Sequence, residues 1–293
     1  MYPILFKLPD WLPALGGQPI TTFGVFMLFA FLTAGQVLRA ELRRKGYDPE
    51  KAWDMVFWAV IGGILGAKLY YMFLNYDTLV AEPWRLITAR GGLVWYGGFT
   101  LATILVLWEV RRSKMPMLDV VDASAPALAL AYGVGRIGCF LVGDDWGRPT
   151  GSWVGIRFPQ GTPPTSVYYI EKDFGITVDP QLVEKFGQVV PVHPTQLYEV
   201  ALSTLIFLLL WRIRKRERRA GWLFMLWLAL AGLERFTVEF FRAKDDRFFG
   251  ALTLAQLISL AIVALGVAGM VRLAGPAPAG SPAKTRPKTK GPR

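Results

Sequence analysis

The sequence predicts an all-α integral membrane protein. It has seven transmembrane helices, its N-terminus outside, its C-terminus cytoplasmic, and a small cap on the outer side (periplasmic in a bacterium). Three observations predict it. Apolar residues make up 53% of the 293-residue chain and are gathered in long runs, whereas a soluble domain spreads about 45–50% through its length. The segments between the runs alternate between rich and poor in Lys and Arg, the signature of membrane orientation. One long polar segment, about residues 144–192, interrupts the runs and supplies the cap.

Residues 1–21 hold Pro3, Pro9, Pro13, Pro19 and Gly16-Gly17. They lack the basic start, short apolar stretch and small-residue cleavage site of a signal peptide. They read as an amphipathic segment at the membrane surface, anchored by Phe6 and Trp11; an unstructured lead is the alternative. Span one covers about 22–38 and is followed by Arg39, Arg43, Arg44 and Lys45. Span two covers about 52–74, with Gly62, Gly63 and Gly66 as small residues for close helix packing and Lys68 near one end. A loop over 75–90 follows. Span three covers about 93–110, opened by Gly91-Gly92 and Trp95-Tyr96-Gly97-Gly98, and is closed by the turn Arg111-Arg112-Ser113-Lys114. Span four covers about 118–134.

Span four runs into Gly135-Arg136-Ile137-Gly138-Cys139-Phe140-Leu141-Val142-Gly143-Asp144-Asp145-Trp146-Gly147-Arg148-Pro149. Glycine weakens helices and a charge at membrane depth is costly, so a helix is expected to end here, close to the bilayer edge. Its glycines would admit a bound group and Arg136 and Arg148 would supply positive charge. The anion most abundant in a membrane is a phospholipid head group. In the cap, 167–169 and 176–178 read as short strands. Span five covers about 196–211, span six about 222–241 and span seven about 252–271. The membrane domain is thus 22–272, and the basic tail 273–293 is expected to be disordered.

The segments after spans one, three and five, with the tail, hold 20 of the 33 Lys and Arg residues. That distribution places the N-terminus outside and accounts for most of the +11 net charge, so nucleic acid is set aside as a partner. With one Cys, Cys139, and one His, His193, there is no internal disulfide and no Cys- or His-rich metal site, so no metal and no cofactor are expected.

Several polar groups need explaining. Arg235 and Glu239 are four apart and share a helix face, as do Glu234 and Val238. The Arg235–Glu239 pair either locks two helices together or neutralises and positions a substrate anion; ionisable residues inside a membrane default to function. In His193-Pro194-Thr195-Gln196-Leu197-Tyr198-Glu199, Thr195 reads as a helix N-cap, and His193 either marks that helix start or does chemistry near neutral pH. Tyr96 sits in a glycine-flanked helix opening. Cys139 fits a small buried residue better than a nucleophile.

Together these motifs resemble the bacterial prolipoprotein diacylglyceryl transferase family. The resemblance rests on Gly135-Arg136-Ile137-Gly138 through Trp146-Gly147-Arg148, on the 193–199 motif, on Arg235-Phe236-Thr237-Val238-Glu239-Phe240-Phe241-Arg242, and on Leu252-Thr253-Leu254-Ala255-Gln256-Leu257, in that order. It implies transfer of the diacylglyceryl group of phosphatidylglycerol, a membrane lipid, to the lipobox cysteine of a prolipoprotein signal peptide. A thioether forms and glycerol 1-phosphate leaves. It also implies a phosphatidylglycerol contact at Arg136 and functional, catalytic roles for Arg136, Arg235 and Glu239; Tyr96, where the family often has His, and His193 are the further catalytic candidates. Substrate contacts are implied at Arg136, Gly138, Cys139, Asp144, Gly147, Arg148, Gln196, Tyr198, Glu199 and Arg242. The chain departs from the family pattern at Tyr96 (often His), Cys139 (usually Asn), Asp144 (usually Glu) and Phe23 (Tyr). Those departures keep open a paralogue with another acceptor, or a non-enzymatic lipid-binding or transport protein. A transporter would show internal repeats or paired broken helices, and none is evident between the halves.

Overall fold

The structure is a computed structural model that describes residues 2–11, 16–89, 92–216, 218–243, 247–249 and 252–275. The expected roles of Pro13, Gly91 and the tail beyond Gly275 lie outside the described residues. In chain order the elements are β1 (Ile4–Lys7), β2 (Pro19–Thr21), α1 (Thr22–Lys45), α2 (Lys51–Leu74), α3 (Tyr76–Ala81), α4 (Pro83–Thr88), α5 (Trp95–Arg112) and α6 (Met117–Val142). Then come α7 (Val167–Phe174), α8 (Pro180–Phe186), α9 (Thr195–Ile213), α10 (Trp222–Glu239), β3 (Arg247–Phe249), β4 (Leu252–Thr253) and α11 (Leu254–Arg272).

Seven long helices thus stand at the seven predicted spans. Five of them, α1, α2, α6, α9 and α11, are long and apolar enough to cross a membrane. The other two, α5 and α10, each carry three charged side chains in eighteen residues. The chain is mostly helical, with two small antiparallel sheets, β1–β2 and β3–β4. The first lies in the N-terminal segment, where Ile4 and Phe6 pair with Thr21 and Ile20. The 75–90 loop contains α3 and α4.

The chain divides into two compact units, with α1 and α6 contributing residues to both. The unit of residues 34–124 is organised by α2 against α5. Glycines make their contact: a methyl group on Gly66 would collide with the Gly97 carbonyl and Leu101, and one on Gly62 with the Ala102 backbone. Two carboxylates buried in this unit are paired with arginines: Glu41 binds Arg44 at 2.6 Å and Glu109 binds Arg112 at 2.9 Å. The half-buried Asp119 accepts from Lys45 and Tyr47, each at 2.8 Å.

The unit of residues 1–33 and 125–277 holds the other helices and the cap. Ala125, Ala129, Ile206, Leu210 and Leu223 form one core, from α6, α9 and α10. Trp146, Phe158, Ile170, Val178, Val190, Val192 and Ala243 form the core of the cap. Residues 167–169, expected to be a strand, open α7 because a helix turns Ile170 fully into that core; 176–178 is not a strand either. A backbone bridge from Gly147 to Arg242 ties the cap to the end of α10, and bridges from Pro149 and Ile156 to Val192 hold the cap together. Span four does not stop at residue 134. It continues as α6 to Val142, with Gly138 packed on Phe26. It ends where Gly143 turns to φ +75, a left-handed conformation cheap only for glycine, and the amides of Gly143 and Asp144 both donate to the Cys139 carbonyl.

Two neighbouring glycines of α2 give a prediction of opposite signs. Gly63 has open space where a Cβ would go, whereas Gly66 does not. Replacing a helical glycine by alanine gains about 0.5–1 kcal/mol. Gly63→Ala should therefore raise the thermal unfolding temperature in detergent, and Gly66→Ala should lower it in spite of the same gain.

Candidate active site

The polar residues of the second unit converge where α6, α9 and α10 meet the first residues after α6. They form an alternating chain of acids and bases. The Tyr132 hydroxyl donates to Glu199 Oε1 at 2.7 Å. Glu199 Oε2 accepts from Arg136 Nε and Nη2. Arg136 Nη1 donates to Asp145 Oδ2 at 2.8 Å. The other oxygen of Asp145 accepts from Arg242 Nη2 at 2.6 Å. Arg242 Nε stands 3.7 Å from Glu239 Oε2, which also pairs with Arg235. Thr253 Oγ1 completes the chain by donating to Glu239 Oε1 at 3.2 Å. Thr253 also caps α11, with Gln256 closing a reciprocal capping box. Arg136, Glu199 and Glu239 are all buried.

The loop after α6 is held in place by backbone bonds. Thr195 Oγ1 donates to the Asp145 carbonyl at 2.7 Å, and Gln196 Nε2 donates to the Asp144 carbonyl at 2.5 Å. Thr195 is therefore the first residue of α9 and a tether for the loop; Pro194 precedes it with no side-chain cap. The Gly147 amide donates to the His193 carbonyl at 2.8 Å and the Arg148 amide to the Phe241 carbonyl at 2.8 Å. A Cβ on Gly147 would strike the Phe241 carbonyl and His193. Asp145 adopts φ +57, a left-handed conformation that Asp tolerates better than most residues, and from it spans two guanidinium groups.

The two adjacent aspartates are driven apart. Burial and the charge of Asp145 push the Asp144 carboxyl up to about 6. Burial also works against Asp145, but Arg242 and Arg136 outweigh it and hold that carboxyl down at about 2.

Of the residues expected at the site, the structure brings Arg136, Cys139, Asp144, Gln196, Glu199, Arg235, Glu239 and Arg242 into this cluster. Cys139 Sγ lies 3.5 Å from Arg136 Nη1. Gly147 and Arg148 form its wall, and Arg148 Nε donates to the Arg242 carbonyl at 3.2 Å. His193 and Tyr198 sit beside it, Nδ1 to hydroxyl at 3.0 Å, both rings against Phe241. Burial keeps the His193 imidazole below its ordinary pKa. Tyr96 belongs to the other unit, where it is exposed on the first turn of α5 beside Trp95. Arg136 does not stand with a free positive charge, as the sequence suggested; two carboxylates already engage it. Tyr132, Asp145, Glu234 and Thr253 were not expected as site residues. Signals existed for three: Tyr132 is four residues before Arg136 on one helix face, Asp145 adjoins Asp144, and Thr253 with Gln256 is a capping-box pattern.

Fold and site together define a multi-pass helical membrane protein with a buried, charge-lined site at the ends of its helices. The chain belongs to the prolipoprotein diacylglyceryl transferase family, whose sequence profile matches residues 11–272. It is 34% identical over 283 residues to the phosphatidylglycerol–prolipoprotein diacylglyceryl transferase of Burkholderia cenocepacia (strain HI2424), covering 88% of this chain and 92% of that relative. It is 30% identical over 269 residues to the protein of the same name from Clostridium tetani (strain Massachusetts / E88), covering 91% and 96%. A third relative of that name, from Paraburkholderia phymatum, is 34% identical over 273 residues, covering 86% and 89%.

The aspartate pair gives a pH signature. Asp144 is raised from 3.8 to about 6 in the folded protein. The stability it contributes as a neutral acid is full below pH 3.8 and lost as pH rises through about 6. Asp144→Asn should therefore unfold at a higher temperature than the parent at pH 7, and the difference should vanish near pH 4. Asp145, lowered from 3.8 to about 2, has the opposite window: its stabilisation is full above pH 3.8 and lost as pH falls through about 2. Thermal melts of Asp145→Asn should lack that acid limb.

Proposed function

We propose that this protein is an active phosphatidylglycerol–prolipoprotein diacylglyceryl transferase. In this reading it moves the diacylglyceryl group of phosphatidylglycerol onto the lipobox cysteine thiol of a prolipoprotein signal peptide. The carbon–oxygen bond to phosphate breaks, a carbon–sulfur bond forms, and glycerol 1-phosphate leaves. Membership of the family supports the reading. The observation that carries it is the chain of Arg136, Arg242 and Arg235, held in place by Glu199, Asp145 and Glu239.

The chemistry asks for what that chain offers. Charge grows on the phosphate as its bond to carbon breaks, and cations fixed beforehand in a water-poor site stabilise it without reorganising. Arg136 and Arg235 take that role here. Glu239 orients Arg235, and Asp145 orients Arg136 and Arg242. Gly138, Cys139, Asp144, Gly147, Arg148, Gln196, Tyr198, Glu199 and Arg242 line the substrate. The thiol must lose its proton to become nucleophilic, and Tyr96, His193, Glu239 or a water is the candidate base for that step.

The same reading makes all seven long helices transmembrane, with the N-terminus outside and the site on the periplasmic face of the bacterial inner membrane. The distribution of Lys and Arg supports it. So do the ion pairs within α5 and α10, Glu109 with Arg112 and Arg235 with Glu239, which match two of the three charges on each helix.

The test is a mass spectrum. Purified protein in phosphatidylglycerol vesicles should add a diacylglyceryl group to a synthetic lipobox peptide, and not to the same peptide with serine for cysteine. Arg136→Ala and Arg235→Ala should each lower turnover by about 10²–10³, the usual effect of removing one preorganised donor. No adduct from folded, lipid-bound protein would rule the transferase out in favour of a lipid-handling paralogue.

A further inference from the structure

A groove of 670 Å³ lies in the cap, outside the ion-pair cluster. Its lining includes residues 148–151, Ile176 and Thr177, and Leu182 and Lys185 of α8. Arg148 belongs to both places. Its Nε donates to the Arg242 carbonyl at 3.2 Å in the wall of the cluster, and the residue also borders the groove. The groove therefore begins where the site ends.

The segment 176–178 is β-branched throughout and strand-like in sequence, yet it pairs with no strand among the described residues. Its side chains alternate as a strand's do: Ile176 and Val178 turn into the cap core, and Thr177 is exposed. The amides of Ile176 and Val178 are directed to α7, to the Ile170 carbonyl and the Glu171 carboxylate, each at 3.5 Å. Peptide groups of an extended run face opposite ways in turn, so the Thr177 amide and carbonyl face away from α7. No hydrogen bond among the described residues uses either. The segment across the groove does not supply the missing partner. The Gly147 and Thr150 amides are spent on the His193 and Pro191 carbonyls, and Pro149 has no amide to give. Thr177 is thus an open edge, the kind that an extended peptide completes by adding a strand. The charge around it is positive: Arg148 and Lys185 against Asp179, whose Oδ1 already accepts from the Gln181 amide at 2.9 Å.

We propose that this groove binds the polypeptide that follows the cysteine of the prolipoprotein acceptor, as an extended strand added at Thr177, with Arg148 and Lys185 facing its acidic side chains. The identity of the peptide rests on the transferase reading; the mode of binding rests on the cap. A signal peptide precedes its cysteine and keeps its apolar stretch in the membrane. The chain beyond the cysteine therefore emerges on the side of the cap, and Arg148 carries the surface from the cluster to the groove.

Two synthetic acceptors test this with the full-length protein in phosphatidylglycerol vesicles. One ends as an amide at the lipobox cysteine, and the other continues for six residues, two of them glutamate. The longer peptide should have a KM about tenfold lower, the order of one or two backbone hydrogen bonds. Its kcat should be the same, because the groove touches no reacting atom. Thr177→Pro removes the amide and should abolish the advantage without changing the KM of the shorter peptide. Thr177→Ala keeps the amide and should behave as the parent. Lys185→Glu should raise the KM of the glutamate peptide about threefold and lower that of a peptide with lysines in their place. Equal KM values for the two peptides in the parent would overturn the proposal. So would a proline variant that shifts both peptides alike, or an alanine variant as weak as proline. Fluorescence anisotropy of the longer peptide, labelled and carrying serine for cysteine, reads the groove without turnover. Binding that Thr177→Pro abolishes, with no adduct on the cysteine peptide, would overturn the transferase reading and leave the groove standing. Displacement of the labelled peptide by glycerol 1-phosphate, and not by the unlabelled six-residue segment, would give the groove to a lipid head group and overturn the proposal.

Discussion

A guanidinium group buried among apolar helices has to be paired, and the pairing of Arg136 is the interaction on which the rest of this unit depends. Removing one partner from such a pair typically costs about 3–5 kcal/mol, because the other charge is left buried. Arg136 is on α6, Glu199 is 63 residues on in α9, and Asp145 lies in the loop between α6 and the cap. The two bonds therefore set the register of α6 against α9 and the path of the chain as it leaves α6. Arg242 extends the same constraint to the end of α10, and Thr253 extends it to the start of α11.

The cap serves this constraint. Its core of Trp146, Phe158, Ile170 and four smaller side chains closes around the residues that follow Asp145. Backbone bonds from Gly147 and Arg148 to His193 and Phe241 stitch the loop to the starts and ends of α9 and α10. Asp145 can hold a left-handed backbone conformation because its own carbonyl, the Asp144 carbonyl and its carboxylate are all engaged. The arrangement gives a rigid array of cations whose charges are already balanced. The formal charges of its three guanidinium groups and three carboxylates cancel.

Much of the helical framework was legible in the sequence. Apolar runs place α2 at Lys51–Leu74 and α11 at Leu254–Arg272 within two or three residues of the reading, because burial in a membrane demands an unbroken apolar surface. The errors fall where local preference and packing disagree. Gly135 and Gly138 argue for a helix end, yet α6 runs on to Val142 because Phe26 occupies the space that a side chain at 138 would need. Val167, Tyr168 and Tyr169 favour a strand, yet they open α7 because the cap core takes Ile170 from a helix. Thr195 has the chemistry of an N-cap, yet its hydroxyl serves the Asp145 carbonyl.

The sequence by itself determined the class of protein, the places of the long helices, and which charged side chains lie at odds with their apolar surroundings. It also determined the Arg235–Glu239 pair, since four residues on a helix bring two side chains to one face. Only the tertiary structure decided who pairs with whom elsewhere. Arg136 meets Glu199 and Asp145, Arg242 meets Asp145, and among the described residues no ion pair engages Glu234. The physical reason is range. Local spacing governs contacts within one or two helical turns, whereas partners 63 or 97 residues apart are chosen by how whole helices pack.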